Sequence, residues 1–125
     1  MAHFAETLKK HNIELKKKEI ETLQINVGYN CNLHCSHCHV DAGINRNESI
    51  SKKVLDDCLK FIKNLNKKID VDITGGAPEN CMFLSKFIED ARKLKNVNRI
   101  ILRSNLAILE NKKELIEVFK NNKVE

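Results

Sequence analysis

"IDVDITGGAPE", residues 69 to 79, decides how the rest of the chain is read. Ile69, Val71 and Ile73 recur at every second position and then give way to two glycines and a proline, the pattern of a half-buried strand that ends in a loop. The same pattern stands on either side. "TLQINVG" (22 to 28) alternates Leu23, Ile25 and Val27 and ends in glycine, and "NRIILRS" (98 to 104) reads as a third strand. The stretches between them change period. Ile50, Val54, Cys58, Phe61, Ile62 and Leu65 are spaced as one helix face, with Ser49 or Ser51 as its cap, and Leu84, Phe87, Ile88, Ala91 and Leu94 form another face over about 82 to 95. A last helix near 112 to 121 carries Leu115, Ile116 and Phe119, and the final "VE" has the character of a fourth strand beginning. Strand and helix in strict alternation predict an α/β chain, a parallel sheet of successive βα units with right-handed crossovers. The first 20 residues are expected to form a helical or irregular lead-in, and 21–125 the core.

In this arrangement each polar motif follows the end of a strand. "GYNCNLHCSHC" follows the first, "TGGAPE" the second and "RSN" the third, so all three gather at the carboxyl edge of the sheet, where α/β folds bind ligands. The composition excludes several other functions. At 125 residues, with 42% apolar and 31% charged residues, the chain has an ordinary water-soluble composition and a single-domain length. Neither a membrane span nor a signal-peptide core is visible, and the net charge of +5 comes from dispersed lysines, not from a basic block interleaved with aromatics. We therefore expect no nucleic acid and no membrane as partners, and a cytoplasmic location. Lys16, Lys17 and Lys18 read as a solvated helix face.

Five cysteines in a reducing compartment are ligands, catalysts or core fillers before they are disulfides. Cys31, Cys35 and Cys38 lie in one loop, four and then three residues apart. Zinc would want a fourth ligand, which His34, His37 or His39 could supply, but its usual spacing is a CxxC pair with a second pair far away. A CxxxCxxC triplet suits a [4Fe-4S] cluster better, since three thiolates leave a fourth iron open to a small molecule. Cys58, on an apolar helix face, reads as a core thiol. Cys81 stays open between the core and the active edge.

"CNLHCSHC" after a first strand with "TGGAPE" after a second resembles the radical S-adenosylmethionine (SAM) superfamily over residues 22 to 105. The wider words "LQINVGYNCNLHCSHCHVDAG", "TGGAPE" and "RSNLAIL" are similar to its arsenosugar-biosynthesis subfamily. The resemblance implies a fold, the N-terminal half of a partial (βα)6 TIM-like barrel, and two cofactors, a [4Fe-4S] cluster on Cys31, Cys35 and Cys38 and SAM chelated to the open iron. Reductive cleavage of SAM then yields a 5′-deoxyadenosyl radical. By the same resemblance Gly75, Gly76, Ala77 and Pro78 pass beside the SAM ammonium, Ser104 and Asn105 reach its methionyl or ribose part, and His37 covers the adenine. A plain turn and a helix cap are the ordinary readings of those two motifs taken alone. Glu79 is an acid or a polar anchor, and Asp70 and Asp72 are outward or structural. The implied partners are a small-molecule substrate, at subfamily level a methylated arsenical, and a reducing donor such as flavodoxin or ferredoxin. Ile44 departs from the proline of the subfamily word. Three βα units are visible where the superfamily core has about six, so a truncated enzyme is expected, with a non-catalytic iron-sulfur or zinc-binding module as the alternative.

Overall fold

The computed structural model describes residues 2 to 125. Three strands, β1 (Thr22–Asn26), β2 (Ile69–Thr74) and β3 (Val97–Leu102), form one parallel sheet in the order β1-β2-β3. Helices α2 (Lys52–Lys63) and α3 (Leu84–Arg92) make the crossovers, α4 (Lys113–Asn121) follows β3, and α1 (Ala2–Lys10) precedes the sheet. This is the α/β architecture of successive βα units expected from the periodicities, and it is consistent with part of a TIM-like barrel. The suggested fourth strand begins where expected: Val124 bridges Ile100 in parallel, with the Glu125 N–H donating to the Ile100 carbonyl at 2.9 Å.

One face of the sheet is apolar and packed. Ile25, Val27, Ile69, Val71, Ile73 and Ile100 meet Leu55 and Ile62 of α2 and Leu84, Phe87, Ile88 and Ala91 of α3 in a single core. Ser51 caps α2, its hydroxyl accepting the Val54 N–H at 3.3 Å. Of the expected face Ile62 is buried and Ile50, Cys58 and Leu65 pack against the core, but Val54 and Phe61 are 47% and 42% exposed, and Leu55, buried, and Leu59, partly buried, complete the face in their place. Both stripes repeat at helical spacing, and contact with α3 selects between them. Lys16, Lys17 and Lys18 are solvated as expected but lie in no helix. The α1 helix ends at Lys10, Asn12 adopts φ 53°, and the Ile13 N–H closes onto the Leu8 carbonyl at 2.9 Å, a left-handed stop.

The other face of the sheet is polar. Gln24 and Asp72 are register partners, and the Arg103 guanidinium forks onto Asp72 at 2.9 Å from both Nε and Nη2, with the Gln24 amide donating at 3.0 Å. Asp70 has a related task. The register of β3 slips between its Ile69 and Val71 partners, and Asp70 accepts from the Asn98 amide (2.8 Å) and the Arg99 N–H (3.2 Å) at that irregularity. Both aspartates are structural.

Hydrogen bonding from Arg103, opposed by burial and reinforced by Gln24, holds the Asp72 carboxyl below the usual aspartate range. Its proton binds the folded chain more weakly than the unfolded one, so the pair's contribution is whole above about pH 4 and is lost as the pH falls through the lower folded value. Asp72→Asn should therefore flatten the acid limb of a stability-against-pH curve measured by urea unfolding. An acid limb unchanged in slope would show that Asp72 is not the group responsible.

Candidate functional site

The cysteine loop is long, and backbone hydrogen bonds shape it. Gly28 bridges Ser49 and Asn30 bridges Gly43, so the segment from 28 to 49 doubles back on itself. Cys31 donates its N–H to the Gly43 carbonyl at 3.1 Å, and a tight turn brings the Cys38 N–H to the Cys35 carbonyl at 3.0 Å. Arg46 locks the base, with its guanidinium 4.7 Å from the Tyr29 ring centre and in contact with Glu48. A small second core of Cys31, Ala42 and Ala77, with Cys38, Val40 and Ile108 against it, lies beneath the loop.

The glycine loop meets this base backbone to backbone. Gly76 donates its N–H to Gly28 at 2.9 Å and Ala77 to Asn30 at 2.8 Å. A Cβ on Gly76 would run into the Asn30 carbonyl, and one on Gly75 would stand 2.8 Å from the Gly28 carbonyl oxygen. The glycines are thus required by loop packing, whatever else they contact. Pro78 is buried and opens a single 3-10 turn, Pro78–Asn80, that carries Glu79 inward. Asn30, to which the sequence offered no pointer, fastens three segments: its amide donates to the Arg46 carbonyl at 3.0 Å, and its side-chain oxygen accepts from Asn80 at 2.6 Å.

Cys31, Cys35 and Cys38 line one cavity of about 220 Å³ together with Leu33, His37, His39, Ala42, Gly76 and Asn105. The three strand-end loops thus meet at the carboxyl edge of the sheet. Donors point at two of the sulfurs. Leu33 N–H lies 3.5 Å from Cys31 Sγ, Asn105 Nδ2 lies 3.8 Å from it, and Ala42 N–H lies 3.4 Å from Cys38 Sγ. The Ala42 N–H, followed by that of Val40, holds the Cys38 thiol below its ordinary value. Cys38 is thereby moved toward the thiolate, the form that binds metal. Among the described residues no three Cys, His, Asp or Glu side chains converge on a point as a single ion requires. A cubane does not ask for that, because each of its protein-held irons takes one thiolate.

The other candidates are placed as follows. His37 is exposed at the cavity, as is His39, while His34 turns Nδ1 toward the Ala42 carbonyl at 3.4 Å. Ser104 donates its hydroxyl to the Glu79 carboxylate and accepts the Leu106 N–H at 2.8 Å. Asn105 reaches Asn32 Oδ1 at 3.0 Å as well as Cys31. Cys58 packs against the main core, where burial pushes its thiol up, and Cys81 is buried in that core, away from the triplet's cavity. A larger cavity, about 630 Å³, opens at the opposite edge of the sheet among Lys63, Lys67, Lys68, Lys93 and Lys95; it holds no thiol, imidazole or carboxylate. No helix among the described residues is long and apolar enough to cross a membrane.

No family profile matches the chain. A probable GTP 3′,8-cyclase of Methanococcus aeolicus is 29% identical over 102 residues, which is 78% of this chain and 33% of that protein. The chain therefore spans about a third of the length of this curated relative. The similarity is distant; it goes with the superfamily resemblance and lends nothing to the arsenosugar subfamily.

Gly76→Ala should destabilise the fold by more than about 1 kcal/mol, because the new methyl meets a backbone carbonyl that has no free direction to move. Chemical unfolding of the variant checks this; a stability equal to that of the parent would mean that the loops separate at little cost.

Proposed function

We propose that this chain carries the cluster-holding and cofactor-holding part of a radical SAM enzyme. The observation that supports it most directly is the single cavity shared by Cys31, Cys35, Cys38, Gly76 and Asn105 at the carboxyl edge of a parallel βα sheet. In this reading the three cysteines hold a [4Fe-4S] cluster, with N–H donors near the sulfurs of Cys31 and Cys38. Held there with SAM, such a cluster would supply one-electron reductive cleavage of a carbon-sulfur bond, the source of a 5′-deoxyadenosyl radical. The chain's own residues position and enclose. Gly76 gives a wall without a side chain, Ala77 and Pro78 hold that wall rigid, and His37 at the rim is free to lie over a purine ring.

The substrate class is a small molecule. The words around the triplet favour a methylated arsenical, whereas the relative's name speaks of closing a ring within GTP. A cytoplasmic setting and a flavodoxin-like or ferredoxin-like donor belong to the same reading, since the cluster must be reduced to work.

Anaerobic reconstitution of the chain should give about four irons and four sulfides per chain with a broad visible absorption, and Cys35→Ala should lose it. Cys58→Ser should retain the full cluster, because that sulfur lies in the core. Stoichiometric zinc without the chromophore would instead make the triplet a zinc-binding module. Adding SAM to the reduced cluster should alter its electron paramagnetic resonance spectrum, since SAM bound beside the open iron would change that iron's surroundings.

A further inference from the structure

Glu79 follows the glycine motif and is almost wholly buried, at 2% exposure. One carboxylate oxygen takes the Ser104 hydroxyl, while the other, Oε2, is buried without a partner among the described residues. Its own backbone carbonyl accepts the Lys112 ammonium at 2.7 Å, which pins the residue from the α4 side. An unpaired buried carboxylate oxygen is a standing cost, and a turn residue with no further task would not need it.

What Glu79 holds is the loop after β3. Ser104, clasped by Glu79, accepts the Leu106 N–H, and Leu106 adopts φ 63°. The next residue, Asn105, closes a turn of its own by accepting the Ala107 N–H at 3.0 Å. With Oδ1 taken by that turn, the Asn105 amide nitrogen is turned to the cysteine loop, where it donates to Asn32 Oδ1 at 3.0 Å and faces Cys31 Sγ at 3.8 Å. This contact spans 74 residues of sequence. Cys31 is also the buried sulfur of the triplet; Cys35 is exposed.

We propose that Glu79 and Ser104 are positioning residues that aim the Asn105 amide at the Cys31 sulfur and so set the reduction potential of the metal centre. The physical basis is charge. A hydrogen bond to a ligand sulfur stabilises the more negative, reduced state more than the oxidised one, and hence raises the potential. Asn105 is thereby assigned to the cluster's sulfur, and Ser104 to the carboxylate behind it. This inference rests on the cluster reading given above.

The test uses the full chain reconstituted with iron and sulfide, titrated anaerobically with the reduced cluster followed by electron paramagnetic resonance. Asn105→Ala should load the same iron and sulfide but shift the reduction equilibrium about tenfold toward the oxidised form, a potential lower by about 59 mV for a one-electron couple. Ser104→Ala should shift it in the same direction. The double variant should match Asn105→Ala alone, because Ser104 acts only through Asn105. The shift caused by Asn105→Ala should persist in a Glu79→Gln background, which keeps an acceptor for Ser104, and vanish in a Glu79→Ala background, a comparison in which the electrostatic effect of removing the carboxylate cancels. A parent-like potential in Asn105→Ala, or shifts that add in the double variant, would overturn the inference while leaving the cluster in place. Failure of the parent chain to take up a cluster would overturn both this inference and the proposed function.

Discussion

The site depends on a backbone clasp. Gly76 and Ala77 donate to the carbonyls of Gly28 and Asn30, and the approach is so close that a single methyl on Gly76 would meet the Asn30 carbonyl. Peptide groups at such a junction cannot be left unpaired, and here each loop supplies the other's partner. The consequences extend in both directions. On one side the clasp holds the start of the cysteine loop against the end of β2, and on the other it turns the chain at Pro78 so that Glu79 points inward. Without it, Cys31 would lose Ala77 from its small core, and Gly76 would leave the wall of the thiol cavity.

Around that clasp the sheet divides its labour by face. The alternation in β2 puts Ile69, Val71 and Ile73 toward the helices and Asp70, Asp72 and Thr74 away from them. Burial of the first set drives folding, while Asp70 and Asp72 of the second join charged and amide groups of the neighbouring strands. Asp72 is nearly buried yet paired with a largely exposed Arg103, so the ion pair keeps one partner in water and avoids the heavy desolvation of a fully enclosed pair. Arg103 immediately precedes Ser104 and Asn105. The pairing therefore also fixes where the loop after β3 departs from the sheet, and through it the side chains that face the cysteines.

The triplet is held unevenly. Cys31 is buried and has two nitrogen donors near its sulfur, Cys38 is partly buried with at least one, and Cys35 is exposed. Hydrogen bonding and solvent exposure are two of the main influences on an iron-sulfur centre, and the fold grades both across a single loop. The exposed thiol of Cys35 sits beside the open side of the cavity with His37 and His39, while the buried one of Cys31 backs onto the protein.

Much of this was legible in one dimension. Strict alternation in 69 to 73 and 22 to 28 and helical spacing in 84 to 91 are local patterns that encode burial within one element, and the spacing of Cys31, Cys35 and Cys38 is a local pattern that places three thiols in one loop. Their order then dictates a parallel sheet with every motif at one edge, because right-handed crossovers leave the chain little choice. Tertiary structure alone decided the pairings: Leu55 over Val54 as the buried residue of α2, Arg103 on Asp72, Ser104 on Glu79 and Asn105 toward Cys31. Those contacts join residues far apart in sequence, and they depend on strand register, on the irregularity in β3 and on how two loops close over each other. Periodicity records which side of an element is dry; it carries no information about which distant side chain arrives there.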